Sequence, residues 1–427
     1  MVKLRKVTAL ALSLVLAGAV LAGCGKDNQG QQQQQTGTGS QQGAQTQEPR
    51  TLNVVMGLGE EEWKVMREKI FPKFEQENNV KINAYQVEAS QVVQQLEAMK
   101  NAGKMEIDLI TQDNMHLPVL VNKGLVEDLT QYKHLIPDTA IPGVVQVGEF
   151  NGKTYFLPYR PNVEINYYNE AKFNEYGLQP PRTWDELLNV AKTFYEKEGV
   201  GKVGLKLNMA GDMVIQIVEF IYQAGGDPLK LNDEGSVKAF NFLKEIYPYL
   251  NPDSAKADWN TTNRFIAQDS FYLAANWPFG VGIIVRDGGK KEIKAYGGWR
   301  GPVKAAKLLG GESIAIPVGA PNKDLALKFA EYLMSKEVQE TLAAELAWPS
   351  YRTDAYAKVE DWQKPYFEAI NEAMKNATPR PPVLYWDELN KAITDAFREI
   401  VLEGKDTKAT LDKYAEVVKQ AAAKYGQ

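Results

Sequence analysis

The sequence predicts an α/β protein of two domains, its sheets mainly parallel and flanked by helices. Two observations carry that prediction. Between Leu52 and Thr111, strand-like and helix-like segments alternate, and strands joined through helices lie parallel in one sheet. From Thr51 onward about 377 residues of mixed apolar, aromatic and charged composition remain, more than one ordinary core holds.

Residues 1–23 read as an export signal. A basic start (Lys3, Arg5, Lys6) leads into the apolar run Val7 to Leu21, which has signal-peptide length and falls short of the roughly 20 residues a spanning helix needs. The run closes on Leu21-Ala22-Gly23-Cys24, which resembles the bacterial lipobox and makes Cys24 the expected lipidation site. Cys24 is the only cysteine, so it has neither a disulfide partner nor a metal-ligand cluster. Residues 24–50 are dominated by Gln, Gly, Thr and Ser and cannot bury enough surface to offset their ordering entropy. As a random coil, Gly25 to Arg50 reaches about 28 Å, enough to hold a folded body off a membrane.

The body opens with a strand at Leu52–Met56, followed by a helix over 60–77 with Trp63, Met66, Ile70 and Phe74 on one face. A second strand at Val80–Val87, a helix at Ser90–Ala102 and a third strand at Ile107–Thr111 complete a βαβαβ run. Ligands of such sheets bind beyond the carboxyl ends of the strands. Two loops are therefore candidate binding elements, 57–60 with Glu60 and 112–115 with Asp113 and Asn114. Trp63 fits either the core or that same site.

Loss of residues 1–23 removes three positive charges and moves the net charge from −5 to −8. Lys and Arg are scattered among Asp and Glu, with no basic stripe for a polyanion, so nucleic acid is not an expected partner.

Further along, Phe150–Pro158, Ile165–Asn169 and Gly177–Leu188 follow one another, then Gln223–Asp227, Ala275–Phe279, Gly310–Pro317 and Asn322–Ser335. In order and spacing these segments resemble the family 1 extracellular solute-binding proteins of bacterial sugar ABC transporters, the maltose-binding-protein group, from Leu52 to the C-terminus. The resemblance implies the two-lobed periplasmic-binding-protein fold, with a hinge of crossing segments near Tyr159–Glu164 and Ala275–Phe279. The expected partition is 51–160 for the first part of the N-terminal lobe and 161–285 for the first part of the C-terminal lobe. Residues 286–427 would supply the rest of both lobes and the C-terminal helices. A sugar or short oligosaccharide would bind between the lobes and pass to ABC permease subunits, with the protein an extracytoplasmic, lipid-anchored monomer that needs no cofactor or metal.

The residues speak to the same ligand class. The chain holds 20 Tyr, 8 Trp and 15 Phe, and several cluster in Gly/Pro-punctuated loops. Sugars present apolar C–H faces and hydroxyl edges, which aromatic platforms and polar rims match. Arg160, Asn162 and Glu164 alternate at spacing two, so an extended segment sets all three on one face, either in a site or as a solvated strand. Trp277, with Phe279 beside it, stands where the family often carries a stacking aromatic; Trp299 lies among small neighbours in Gly297–Gly301. Either tryptophan could instead be buried under its loop. Tyr351 and Arg352 follow Trp348-Pro-Ser in what resembles the family's cleft-facing loop, and Tyr385 and Trp386 are weaker candidates. Trp184, behind the N-cap candidate Thr183, reads as structural.

Two other functions compete. A lipid-anchored secreted glycoside hydrolase finds no support in His116 and His134, which join no His-Glu-x-x-His or Gly-x-Ser-x-Gly pattern and read as surface or capping residues. A catalytic carboxylate pair stays open, because 54 acidic residues always allow some pair. A sugar-sensing module of a membrane kinase system would share the fold and site. No catalytic residue is singled out.

Overall fold

The computed structural model describes residues 49–426; the expected export signal, lipidation at Cys24 and linker fall on residues 1–48, outside the described residues. The βαβαβ run is present. Strand β1 (Arg50–Met56) pairs in parallel with β2 (Val80–Gln86) along its whole length, from Arg50 opposite Val80 to Met56 opposite Gln86. On its other side it pairs in parallel with β3 (Leu109–Asp113). Leu52, Val54, Val55 and Met56 are all buried, the pattern of a central strand covered on both faces. The third strand begins later than Ile107, just after Asp108, whose carboxylate cross-links the chain by accepting from the backbone N–H groups of Asn53 and Asn322 at 2.8 Å.

The first helix has three pieces, Glu60–Val65, a π turn at Met66–Ile70 and Phe71–Asn78. The π turn sits just ahead of Pro72, where the Phe71 N–H donates to Met66 O. Proline lacks an N–H and its ring crowds the carbonyl of the preceding turn; widening that turn relieves the clash.

A tight hairpin follows, β4 (Glu149–Phe150) and β5 (Lys153–Thr154), turned by Asn151 and Gly152 at positive φ. The remaining strands are β6 (Leu157–Asn162), β7 (Ile165–Asn169), β8 (Val203–Gly204), β9 (Leu273–Asn276), β10 (Ile293–Tyr296), β11 (Lys307–Ala315) and β12 (Ala377–Pro379). They complete two sheets, a larger one in the order β12-β11-β3-β1-β2 with β6 also on β11, and a smaller one in the order β10-β7-β9-β8. Both are mixed. The N-terminal strands are parallel, whereas β11 runs antiparallel to β3 and β6, and β7 antiparallel to β9 and β10.

The chain passes from the larger to the smaller sheet between Asn162 and Ile165 and returns between Tyr296 and Lys307. Ala275–Phe279 does not make the second crossing, because Ala275 and Asn276 belong to β9 and pair with Asn166 and Ile165 of β7. Helices Lys323–Met334 and Lys336–Leu346 pack with the elements of the larger sheet, Phe74 meeting Phe329 at 4.9 Å. Helices Met213–Gln223, Glu234–Ile246, Trp386–Phe397 and Thr407–Lys424 pack together, the first of them also against β11. There Trp184 stacks on Phe242 at 4.5 Å, and Thr183 caps its helix by accepting from the Glu186 N–H. Among the described residues no helix is long and apolar enough to cross a membrane.

Candidate functional site

Register brings the polar residues together. On β11, Glu312 stands opposite Asp113 of β3 and opposite Arg160 of β6. These three charged side chains line one inner cavity of about 180 Å³. Glycine permits the arrangement: Gly311 has φ +119, and a Cβ there would lie 2.2 Å from Arg160 O.

Each charge is held. Arg160 donates from Nη1 to Glu62 Oε1 at 2.6 Å, and its Nη2 lies 3.4 Å from Glu312 Oε1. The Trp348 indole donates to the same Glu62 oxygen at 2.7 Å and lies under the guanidinium at 3.9 Å. Arg380, next to the end of β12, donates from Nη1 to Asp113 Oδ1. Burial alone would lower the Arg160 guanidinium, but Glu312 and Glu62 more than offset it and hold it above its ordinary value. Burial pushes Glu312 up to about 7; Arg160 opposes this, while Glu62 and Asp113 reinforce it.

The opposite wall comes from the smaller sheet. Trp277 and Phe279 line the inner cavity just beyond β9, with Trp259 edge-on to Phe279 at 6.0 Å. Trp259 sits in a turn held by Asp258, which accepts from the Asn260 and Thr261 N–H groups, and its own N–H donates to Asp212 at 3.1 Å. Gln86, Glu88 and Trp259 also border an open outer cavity of about 1010 Å³ that Glu60 and Trp63 line. Small-molecule sites span roughly 300–1,000 Å³, so the inner space alone falls short of that range and the two together reach it.

Thus Asp113, Arg160, Asn162, Trp277 and Phe279 converge on the inner cavity, and Glu60 and Trp63 border the outer one. Seven candidates lie elsewhere. Glu164 is buried against Lys206, which also binds Asp212 at 2.9 Å; the change of sheet after Asn162 breaks the alternation that would have kept it beside Arg160. Asn114 is turned by the 3-10 segment Asn114–His116 toward Gly310 O and Ser313 Oγ, on a separate groove. Trp299 is buried against Phe220 and Lys307, away from the cleft. Tyr351 is buried with its hydroxyl donating to Met334 O, and Arg352 grips Asp354. From that loop Trp348 reaches the site instead. Tyr385 and Trp386 are buried around the start of a helix. His116 is buried rather than on the surface, whereas His134 is exposed.

Glu62, Asp212, Trp259, Glu312 and Arg380 belong to the inner cavity and were not singled out from sequence. A signal existed for three. Glu312 follows two glycines in a strand, Arg380 lies within a proline-rich turn, and Trp259 is an aromatic inside a polar Asp-x-Asn-Thr turn.

A sequence profile described as bacterial extracellular solute-binding protein matches residues 69–369. A maltotriose-binding protein of Pyrococcus abyssi is 25% identical over 360 residues, covering 77% of this chain and 74% of the relative. Maltose-bound MalE3 of T. maritima superposes with a TM-score of 0.78 at 21% identity, over 87% of this chain and 99% of that one. A solute-binding protein of Thermotoga lettingae with α-D-tagatose bound gives 0.77 at 23% identity, over 87% and 100% of the two chains.

Proposed function

The chain belongs to the bacterial extracellular solute-binding proteins, and on that premise we propose that its solute is a sugar or short oligosaccharide, taken up between the lobes and delivered to an ABC permease. The family captures solutes without transforming them. The observation that carries the choice of a sugar is the inner cavity itself, where Trp277 and Phe279 face a row of hydrogen-bonding side chains, Asp113, Glu312 and Arg160. Aromatic faces suit the C–H surfaces of a pyranose, and charged groups suit its hydroxyls. The maltotriose-binding relative supports the same choice.

In this reading 51–160 and 161–285 form the first parts of two lobes, with the passage at Asn162–Ile165 as one hinge segment and Tyr296–Lys307 as another. Ligand contacts made from both lobes favour the closed state, and only that difference in affinity shifts the population. The lobes act in a monomer that Cys24 anchors to the membrane.

Thermal unfolding over a panel of neutral mono- and oligosaccharides tests the reading. Binding at a hundredfold excess over Kd adds about 2.7 kcal/mol of stability, an upward shift of several degrees. A panel without any shift would remove the sugar assignment.

A further inference from the structure

The inner cavity holds polar atoms that the protein leaves unpaired. Arg380 Nε and Nη2, Arg160 Nε and Glu312 Oε2 are buried without a hydrogen-bond partner. Their side chains are only 2%, 9% and 10% exposed respectively. Buried donors and acceptors in this condition cost stability unless a ligand completes them. Donors and an acceptor occur together once Glu312 is ionised, above about pH 7: a hydroxyl can accept from a guanidinium and donate to a carboxylate, which a carboxylate or a fully ionised phosphate cannot do.

The charges point the same way. Among the described residues lining this cavity the cations are Arg160 and Arg380, against the carboxylates Glu62, Glu88, Asp113, Asp212 and Glu312. Arg160 is already matched by Glu62, Arg380 by Asp113, and Asp212 by Lys206. No guanidinium is left over for a carboxylate or phosphate on the ligand. An acidic ligand would carry its charge into a buried site beside Glu312, where desolvation is not repaid.

Position then selects the contact. A Cβ at Gly310 would lie 2.7 Å from the Trp277 ring and 3.1 Å from Arg380 Nη2, so indole and guanidinium meet at one spot over β11. Glu312 is two residues further along that strand. A ring stacked on Trp277 therefore carries its hydroxyl edge toward both groups.

We propose that Arg380 and Glu312 are the specificity-determining pair of this site, gripping neighbouring hydroxyls of an uncharged sugar and rejecting acidic sugars. The inference rests on the sugar reading above and narrows it. The test begins with thermal unfolding against maltose, maltotriose and D-tagatose, and in parallel against glucuronate, galacturonate, maltobionate and glucose 6-phosphate. At pH 8, where Glu312 is ionised, a shift with a neutral sugar and none with the acidic set is expected. Calorimetric titration of that neutral sugar should then show at least a twentyfold loss of affinity in Arg380→Met and in Glu312→Gln. Arg380→Lys keeps the charge facing Asp113 but not the fork of donors, so it should fold like the wild type and lose affinity to a similar degree. An acidic sugar that binds more tightly than its neutral counterpart would overturn the inference while leaving the sugar reading intact. So would affinities within threefold of wild type in Arg380→Lys and Glu312→Gln. Silence across both sets would overturn the sugar reading itself, and this inference with it.

Discussion

Arg160 and Trp348, 188 positions apart in the chain, donate to the same carboxylate oxygen, Glu62 Oε1, at 2.6 and 2.7 Å. The guanidinium also lies over the indole at 3.9 Å, so one buried acidic residue ties β6, the first helix and the loop after Leu346 into a single floor. Breaking a buried pair by removing one partner leaves the other charge uncompensated. Glu62→Ala should therefore lower unfolding stability by about 3–5 kcal/mol, read from urea denaturation with the midpoint shifted and the slope unchanged. A loss below about 1 kcal/mol would mean that Glu312, 3.4 Å from the guanidinium, compensates Arg160 without Glu62.

Trp277 and Trp299 are expected to separate into two roles. The first lines the cavity and the second is buried against Phe220, away from it. Trp277→Ala should weaken sugar binding by a few kcal/mol, as the loss of a large stacking surface does. Trp299→Ala should instead cost about 3–5 kcal/mol of stability. Its affinity should stay within threefold of wild type once folded protein is compared. Calorimetric titration beside thermal unfolding distinguishes these outcomes.

Much of the architecture was legible because it is written in local periodicity. The alternating pattern from Leu52 onward gave β1, β2 and β3 in order, and the carboxyl ends of β1 and β3 led to Glu60 and Asp113. What escaped was long-range register. Glu312 enters the site because β11 returns from the smaller sheet to lie between β3 and β6, and nothing near Glu312 encodes that pairing. Glu164 was misplaced for the complementary reason. Spacing of two holds only while a strand keeps its direction, and the chain leaves the larger sheet after Asn162. Trp299 shows a third limit, since small neighbours leave a cavity beside an indole without saying which face of the protein that cavity opens on.

The proposed membrane anchor is Cys24 in the Leu-Ala-Gly-Cys motif. Cys24→Ala should move the protein from the membrane fraction to the soluble one or stall its processing. A variant that stays membrane-bound and migrates like the processed wild type would exclude the thiol as the anchor.

Closure is expected to tolerate a methyl group at Gly59 and nothing much larger. A Cβ there would lie 3.5 Å from the Trp259 ring and 3.8 Å from Phe279, ordinary contact distances, at an unstrained φ of −73. Gly59→Ala should keep its affinity within threefold. Gly59→Leu would press its side chain into the two rings, hold the lobes apart and weaken sugar binding at least tenfold. Its thermal stability without sugar should change little, because the cleft can open to make room. Small-angle scattering should then show wild type compacting on addition of sugar and Gly59→Leu remaining extended; compaction in both would rule out this contact as the closing one.

The last prediction concerns pH. Glu312 is pushed up to about 7 from the usual 4.5, first by burial, against the opposing pull of Arg160 and with help from Glu62 and Asp113. Between those values the folded protein holds a proton that the unfolded chain releases. Stability therefore falls as pH rises from about 4.5 to about 7 and levels off above that. Glu312→Gln removes this contribution, because an amide does not titrate. Compared at pH 5 and pH 8, the variant should gain on wild type by up to roughly 3 kcal/mol at the higher pH, at about 1.4 kcal/mol for each unit of displacement. Titrating groups that do not interact with Glu312 contribute equally to both proteins and cancel in the difference. A stability difference between Glu312→Gln and wild type that stays constant from pH 5 to pH 8 would show that Glu312 ionises in the folded protein as it does in water, with its charge compensated by Arg160 rather than suppressed by burial.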